Sequence, residues 1–226
     1  LPSAPVHLAA QKGYAQIINA LASAGADLSK KSGDGWTLAH LVAQKGHAHC
    51  ITTLQQVGAE LSEYDARGET PAHLAAHKGH ANVIKALAEV GADLNKKDNS
   101  GWTPTQTAVR YGRANVIEVF AEAGADLNEK NSSGWTPAHI AVLSDHVDAL
   151  KALAKVGTDL NKQDNEGQTP ASTAARYART DMIRLLAALG ADFSISDRSD
   201  ATLAHVAAQN GNSDMIRVLS ELGMDL

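Results

Sequence analysis

Apolar residues along this chain come in two short helical runs, separated and followed by polar breaks, and the same arrangement then returns. Residues 70 to 103 show it. Pro71-Ala72-His73-Leu74-Ala75-Ala76 is a compact run that stops at Gly79, and from about Ala81 the residues Val83, Ile84, Leu87 and Ala88 recur at the three- and four-residue steps of a helix with one apolar face. Thr70 is placed as a helix N-cap, and Pro71 as the first helical residue, where a missing N–H costs nothing. His73, three residues after the cap, can bond back toward Thr70 as a capping-box residue does. Gly79 and Gly91 suit helix C-termini. Asp93-Leu94-Asn95 and the stretch Asp98 to Gly101 predict an extended turn region leading to Thr103. Two short helices and a hairpin-like loop cannot bury their apolar faces alone, but stacked copies can.

The copies are present. Thr stands at 37, 70, 103, 136, 169 and 202, and Gly at 25, 58, 91, 124, 157, 190 and 223, every step being 33 residues. The glycine tetrads read GADL, GAEL, GADL, GADL, GTDL, GADF and GMDL. A period of this kind without insertion is the signature of a repeat architecture. It divides the chain into seven repeats, at about 1–31, 32–64, 65–97, 98–130, 131–163, 164–196 and 197–226. The expectation is a single all-α domain, 1–226: a solenoid of stacked helix-turn-helix units joined by β-hairpin-like loops. Loops are expected about 31–36, 64–69, 97–102, 130–135, 163–168 and 196–201. Repeat 7 stays as apolar as an internal copy, with Val206, Ala207, Ile216, Val218 and Leu219, and neither end carries a polar cap. This predicts a natural array that continues past Leu226, and an extension before Leu1 is also open, within a longer protein.

The chain resembles an ankyrin-repeat protein in Thr70-Pro71-Ala72-His73-Leu74-Ala75-Ala76, in Gly79-His80 and in Gly91-Ala92-Asp93-Leu94-Asn95, with counterparts every 33 residues over the whole length. The resemblance implies a non-catalytic protein-binding scaffold whose partner docks on the concave face, made of hairpin tips and first helices. It also draws attention to Asn95 and Asn161, whose surroundings resemble asparagines that are hydroxylated in ankyrin arrays. A turn Asn bonding nearby backbone is the simpler reading of both.

Composition narrows the function. Of 226 residues, 41 are Ala and only 4% are aromatic, which fits closely packed helices. The net charge of −5 argues against a nucleic-acid binder. No apolar run is long enough to span a bilayer. Cys50 is the only cysteine, so no internal disulfide or cysteine-cluster zinc site exists, and a reducing, cytoplasmic setting fits. It sits on the apolar stripe of a second helix and reads as a small core residue. Five of the ten His, at 7, 40, 73, 139 and 205, occupy the capping place of separate repeats, too far apart to share a metal. Ser144, Asp145 and His146 are consecutive, which excludes triad geometry. No cofactor, metal, small-molecule substrate or enzymatic activity is expected, and the chain is expected to be a monomer.

The departures from the pattern suggest where a partner binds. Repeats 4 and 6 replace the capping His by Gln106 and Ser172, carry Thr107 and Thr173, and share Arg110-Tyr111 and Arg176-Tyr177, followed by Arg113 and Arg179. Repeat 5 has Asp145, and repeat 6 Ala178, where the other repeats have the helix-ending Gly. Trp36, Trp102 and Trp135 each precede a cap Thr at a hairpin; such Trp residues either pack across adjacent hairpins or anchor a partner. The candidate surface is Trp102, Arg110, Tyr111, Trp135, Leu143, Arg176 and Tyr177, with Trp36 as a second focus. Tyr111 and Tyr177, two repeats apart, should be ~20 Å apart at ~10 Å per layer. Lys12, Lys31, Lys45, Arg67, Lys78 and Lys97 add basic charge to the inner side of the early repeats. The expected ligand is a protein or peptide, acidic in character, engaged by a scaffold or, in an intracellular microbe, by an effector acting in the host cytoplasm. The alternative is a spacer that positions other domains of a longer chain.

Overall fold

The computed structural model describes residues 4–224, which form fourteen α-helices and no strand. They fall into two compact units. One runs up to Ala108 and includes Glu118–Asp126; the other comprises Val109–Ile117 and the described residues from Leu127 on.

The first unit holds three complete helix pairs: α1 (Pro5–Lys12) with α2 (Ala15–Ser23), α3 (Leu38–Lys45) with α4 (His49–Gln56), and α5 (Pro71–Lys78) with α6 (Ala81–Glu89). First helices pack on first helices and second on second, α1 to α3 to α5 and α2 to α4 to α6. The core between them is small and aliphatic: Ala43, Ala75, Ala76, Ile51, Leu54, Ile84 and Leu87 are fully buried. Cys50 lies among them, and burial pushes its thiol pKa up, so it stays a protonated, inert core group.

The second and third pairs are built as the sequence pattern requires. Thr37 and Thr70 have extended backbone and form capping boxes with His40 and His73. In the latter, Thr70 N–H donates to His73 Nδ1 at 3.1 Å, and the opposite ring nitrogen, Nε2, meets the Trp102 carbonyl at 2.9 Å. Since Nε2 faces a carbonyl it carries the proton, which leaves Nδ1 as the acceptor. His40 repeats the arrangement, with Nε2 2.9 Å from the Glu69 carbonyl. A single buried imidazole thus caps its own helix and holds the following loop. Second helices end in left-handed glycines; after α2, Gly25 N–H bonds Ala22 O and Ala26 N–H bonds Leu21 O, a Schellman closure.

The loops fall where the spacing predicts, but as tight turns without a strand ladder. In one, Asp65 N–H bonds Glu69 O and Gly68 N–H bonds Asp65 O, while Asp65 Oδ1 accepts from Arg67 N–H and Glu69 N–H, both at 2.8 Å. Asp98 does the same for Ser100 and Trp102. Neighbouring turns are joined directly, Ala66 N–H to Asp34 O and Asn99 N–H to Arg67 O.

α7 (Pro104–Arg110) and α8 (Ala114–Glu122) are each divided by the boundary between the units. The second unit holds the complete pairs α9 (Pro137–Leu143) with α10 (Val147–Lys155), α11 (Pro170–Arg176) with α12 (Thr180–Ala188), and α13 (Leu203–Gln209) with α14 (Ser213–Glu221). The first helices again pack in series, α9 to α11 to α13, and α12 packs on α14. Asn131, Asp164 and Asp197 anchor the turns as Asp65 does. His139 Nε2 meets the Gln168 carbonyl at 2.9 Å. Asn128 and Asn161 accept from the backbone N–H groups of Asp159 and Asp192, each 31 residues on.

Non-glycine residues occupy left-handed backbone at the two anomalous inter-helix turns, Asp145 at φ 58° and Ala178 at φ 55°. The turn keeps its geometry although the glycine is gone, because the backbone of the stack dictates it. Asp tolerates this region; Ala pays ~1–2 kcal/mol there. Ala178→Gly is therefore expected to stabilise the chain by ~1 kcal/mol, after allowing for the extra freedom Gly gives the unfolded state. A rise in urea midpoint at constant slope checks it, and an unchanged midpoint counts against it. Gly46 shows the opposite constraint: at φ 78°, a Cβ there would stand 2.9 Å from the His80 ring.

Candidate functional site

The C-terminal turn of each first helix and the residues just after it carry most of the sequence candidates. In ordinary and departing repeats alike, this place is closed by the side chain that opens the second helix of the following repeat. His47 Nε2 meets the Gln11 carbonyl at 3.1 Å, His80 the Gln44 carbonyl at 3.2 Å, His146 the Arg110 carbonyl at 2.9 Å, and Asn212 Nδ2 the Ala175 carbonyl at 2.9 Å. Each caps orphan carbonyls of the helix one repeat earlier.

In the second unit the same closure is kept, and charge and aromatic area are added beside it. Arg110 ends α7 exposed, with Tyr111 beside it 42% exposed. The equivalent Tyr177, after α11, is 52% exposed. Arg176 reaches Glu166 of its own turn at 3.4 Å, and Arg179 reaches Asp145 of the preceding repeat at 3.5 Å. Both pairs are long and solvent-exposed, and such contacts contribute ~0–1 kcal/mol, so a better-aligned carboxylate or phosphate displaces them at little cost. Leu143 is half-buried at the end of α9, and Trp135 is half-buried in its turn. The second unit thus holds Arg110, Tyr111, Trp135, Leu143, Arg176 and Tyr177, whereas Trp36 and Trp102 belong to the first.

The tryptophans of the first unit are tied to structure. Trp36 Nε1–H donates to Asp65 Oδ2 at 3.1 Å, so its indole braces the next turn. Trp102 contributes its carbonyl to His73. Basic residues of the early repeats are also engaged: Lys31 Nζ bonds Glu63 Oε2 at 2.7 Å and the Tyr64 carbonyl at 3.0 Å, and Lys96 Nζ sits 4.8 Å from the Tyr64 ring centroid. The spacing of residues gave no sign of the Arg176–Glu166 and Arg179–Asp145 pairings. The substitution of Gly by Asp145 and Ala178 was the available signal for strained turns beside them.

Asn95 and Asn161, singled out by the resemblance, have side chains that accept from Asp126 N–H at 3.1 Å and Asp192 N–H at 2.8 Å. Each is part of the turn-to-turn framework. Among the described residues no group of three or more His, Cys, Asp or Glu is placed to hold a metal, and no helix is long and apolar enough to cross a membrane.

Short helix pairs, left-handed breaks and Asx-anchored turns in strict register define a helical repeat scaffold. The chain belongs to the ankyrin-repeat family: a family model described as Ankyrin repeats (3 copies) matches residues 6–98, 90–164 and 156–226. Among solved structures it is similar to the ankyrin repeat domain of Bcl-3, described as a unique member of the IkappaB protein family, with TM-score 0.84 and 24% identity over 96% of this chain and 99% of that one. It is also similar to the human ASB11 ankyrin repeat domain, with TM-score 0.78 and 23% identity over 97% of this chain and 98% of that one. At these identities the likeness shows the fold alone. No curated protein matches in sequence. Ankyrin-repeat domains generally mediate protein–protein interactions.

Proposed function

We propose that the chain is a non-catalytic recognition module, one array over 1–226 serving as a cytoplasmic scaffold or effector, and that repeats 4 to 6 bind an acidic protein or peptide segment on the concave face. The observation that carries this reading is the paired exposure of Tyr111 and Tyr177 at equivalent places two repeats apart, each preceded by an arginine. About half of each aromatic side chain lies in solvent, Tyr111 at 42% and Tyr177 at 52% exposure. Tyr and Arg are the residue types that anchor interfaces, offering area at low entropic cost together with charge-assisted bonds. Arg110 and Arg176 would take carboxylates of the partner, with Trp135 and Leu143 of the same unit beside them. The contact between Trp36 and Asp65 makes the first repeats a weaker focus.

The test is capture from lysate by the wild-type chain and by an Arg110/Tyr111/Arg176/Tyr177 quadruple alanine variant, followed by affinity measurements on the protein identified. Tyr111→Ala with Tyr177→Ala is expected to weaken binding at least tenfold while leaving the melting curve in place, since exposed residues contribute little to stability. Affinity should also fall as salt rises. Equal capture by the two chains would leave the spacer reading standing.

A further inference from the structure

In the first unit, α1, α3 and α5 all end on the same cation. Lys12, Lys45 and Lys78 are the last residues of these helices, and all three are exposed. Each is followed by a left-handed glycine, Gly13 at φ 72°, Gly46 at φ 78° and Gly79 at φ 80°, so the three helix ends share one backbone geometry. The carbonyls just before Lys12 and Lys45, those of Gln11 and Gln44, are held by His47 and His80 of the following repeats. Since α1 packs on α3 and α3 on α5, the lysines rise from fixed roots one helix layer apart, ~10 Å at each step. The surroundings leave their charge unanswered. The three helices contain no Asp or Glu, in a chain with 25 acidic residues against 20 basic ones. None of the three lysines forms an ion pair among the described residues. Lys31, by contrast, is committed to Glu63, and Asp65 in the turn before α5 spends a carboxylate oxygen on two backbone N–H groups. The helix dipole favours a cation at each of these ends. It does not account for the lack of a carboxylate beside all three, and that lack leaves the row open to an anion from outside.

We propose that Lys12, Lys45 and Lys78 form a second docking surface, on the first unit, for an extended protein segment that carries a carboxylate at every third residue. Three residues of extended chain cover ~10 Å at ~3.3 Å each, the same step as one helix layer. The inference is independent of the Arg–Tyr surface of the second unit, and neither Trp36 nor any other aromatic residue takes part in it. Lysine suits the task, since its ammonium is a mobile point charge that meets a carboxylate without the fixed fork of an arginine. Each contact is exposed and weak, so the row acts by summing three of them and by steering an acidic chain onto the first helices.

Fluorescence anisotropy at low salt tests this with two labelled peptides of one composition, the spaced Glu-Ser-Gly-Glu-Ser-Gly-Glu and the clustered Glu-Glu-Glu-Ser-Gly-Ser-Gly. The protein is the full chain with Arg110, Tyr111, Arg176 and Tyr177 all replaced by alanine, so that binding to the Arg–Tyr surface cannot contribute and that proposal stands or falls separately. This chain should bind the spaced peptide about threefold or more tightly than the clustered one, and the affinity should fall as salt rises. Adding Lys12→Gln, Lys45→Gln and Lys78→Gln should weaken the spaced peptide by about tenfold with an unchanged melting curve. Adding Lys30→Gln, Lys85→Gln and Lys151→Gln removes the same charge elsewhere and should change the affinity little. No binding of the spaced peptide overturns the inference, as does equal binding of the two peptides or an equal loss from the two sets of lysine substitutions. A seven-nucleotide oligothymidylate that binds more tightly than the spaced peptide would also overturn it, by showing a row made for phosphates.

Discussion

Leu87→Ala should lower the unfolding free energy of this chain by ~2–5 kcal/mol. Leu87 is fully buried on α6, which packs against α4, and truncation there removes dispersion contacts that neighbouring helices cannot close over. Stability in a repeat array is a sum of repeat terms and neighbour interfaces, so the loss should spread outward from the point of damage. Urea unfolding gives the size, and hydrogen exchange the place: amides of α4 and α6 should lose protection first. Ile17→Ala is the matched comparison. Its side chain is already 47% exposed, so its cost should be much smaller. Equal losses from the two substitutions would mean that the faces between repeats are not where the stability lies.

The buried imidazoles give the array an acid limit. Desolvation holds the pKa of His40, His73 and His139 below the ordinary 6.5, outweighing the bond each makes to a loop carbonyl. In the unfolded chain these residues take up protons near pH 6.5, while in the folded chain they do so only at lower pH. Between those two values the unfolded state binds more protons, so stability rises with pH there. The contribution is complete above pH 6.5 and is lost as pH falls toward the lowered folded values. Every pH unit spent inside that window costs ~1.4 kcal/mol per histidine. Protonation also removes the Nδ1 lone pair that takes the Thr N–H. Repeat 4 already shows the insensitive alternative: Gln106 Oε1 accepts from Thr103 N–H at 3.0 Å and does not titrate. Thermal melts at pH 7 and pH 5 should therefore show a large drop for the wild type and a much smaller one for His40→Gln with His73→Gln and His139→Gln. Parallel drops in the two proteins would place the acid sensitivity elsewhere.

Much of this was readable from residues alone, because the strongest local signals recur at fixed spacing. Thr70, Pro71, His73 and Gly79 each specify one backbone event, and the structure uses all four as read. The turns were located by the same spacing, yet the double role of Asp65 and Asp98, each taking two backbone N–H groups, depends on side-chain rotamers that spacing does not report. The candidate surface divides in the same way. That Tyr111 and Tyr177 are exposed followed from their place at the ends of first helices. The commitment of Trp36 to Asp65, and of Arg176 and Arg179 to nearby carboxylates, is tertiary and left no trace in the period.

Many bonds between repeats recur at fixed separations: 29 residues from the imidazoles of His40, His73 and His139 to a carbonyl, 31 from asparagine to backbone, and 36 from His47, His80 and His146 to a first-helix end. A recombination event that removes or duplicates one 33-residue period leaves each of these recurring bonds an equivalent partner, so the shortened or lengthened product is expected to fold. The Arg–Tyr pairs do not share that immunity. They stand 66 residues apart, and the loss or gain of a single period between them resets their separation and turns one relative to the other. On the proposed Arg–Tyr docking surface, gene rearrangement would therefore redraw recognition in one step, with no point mutation.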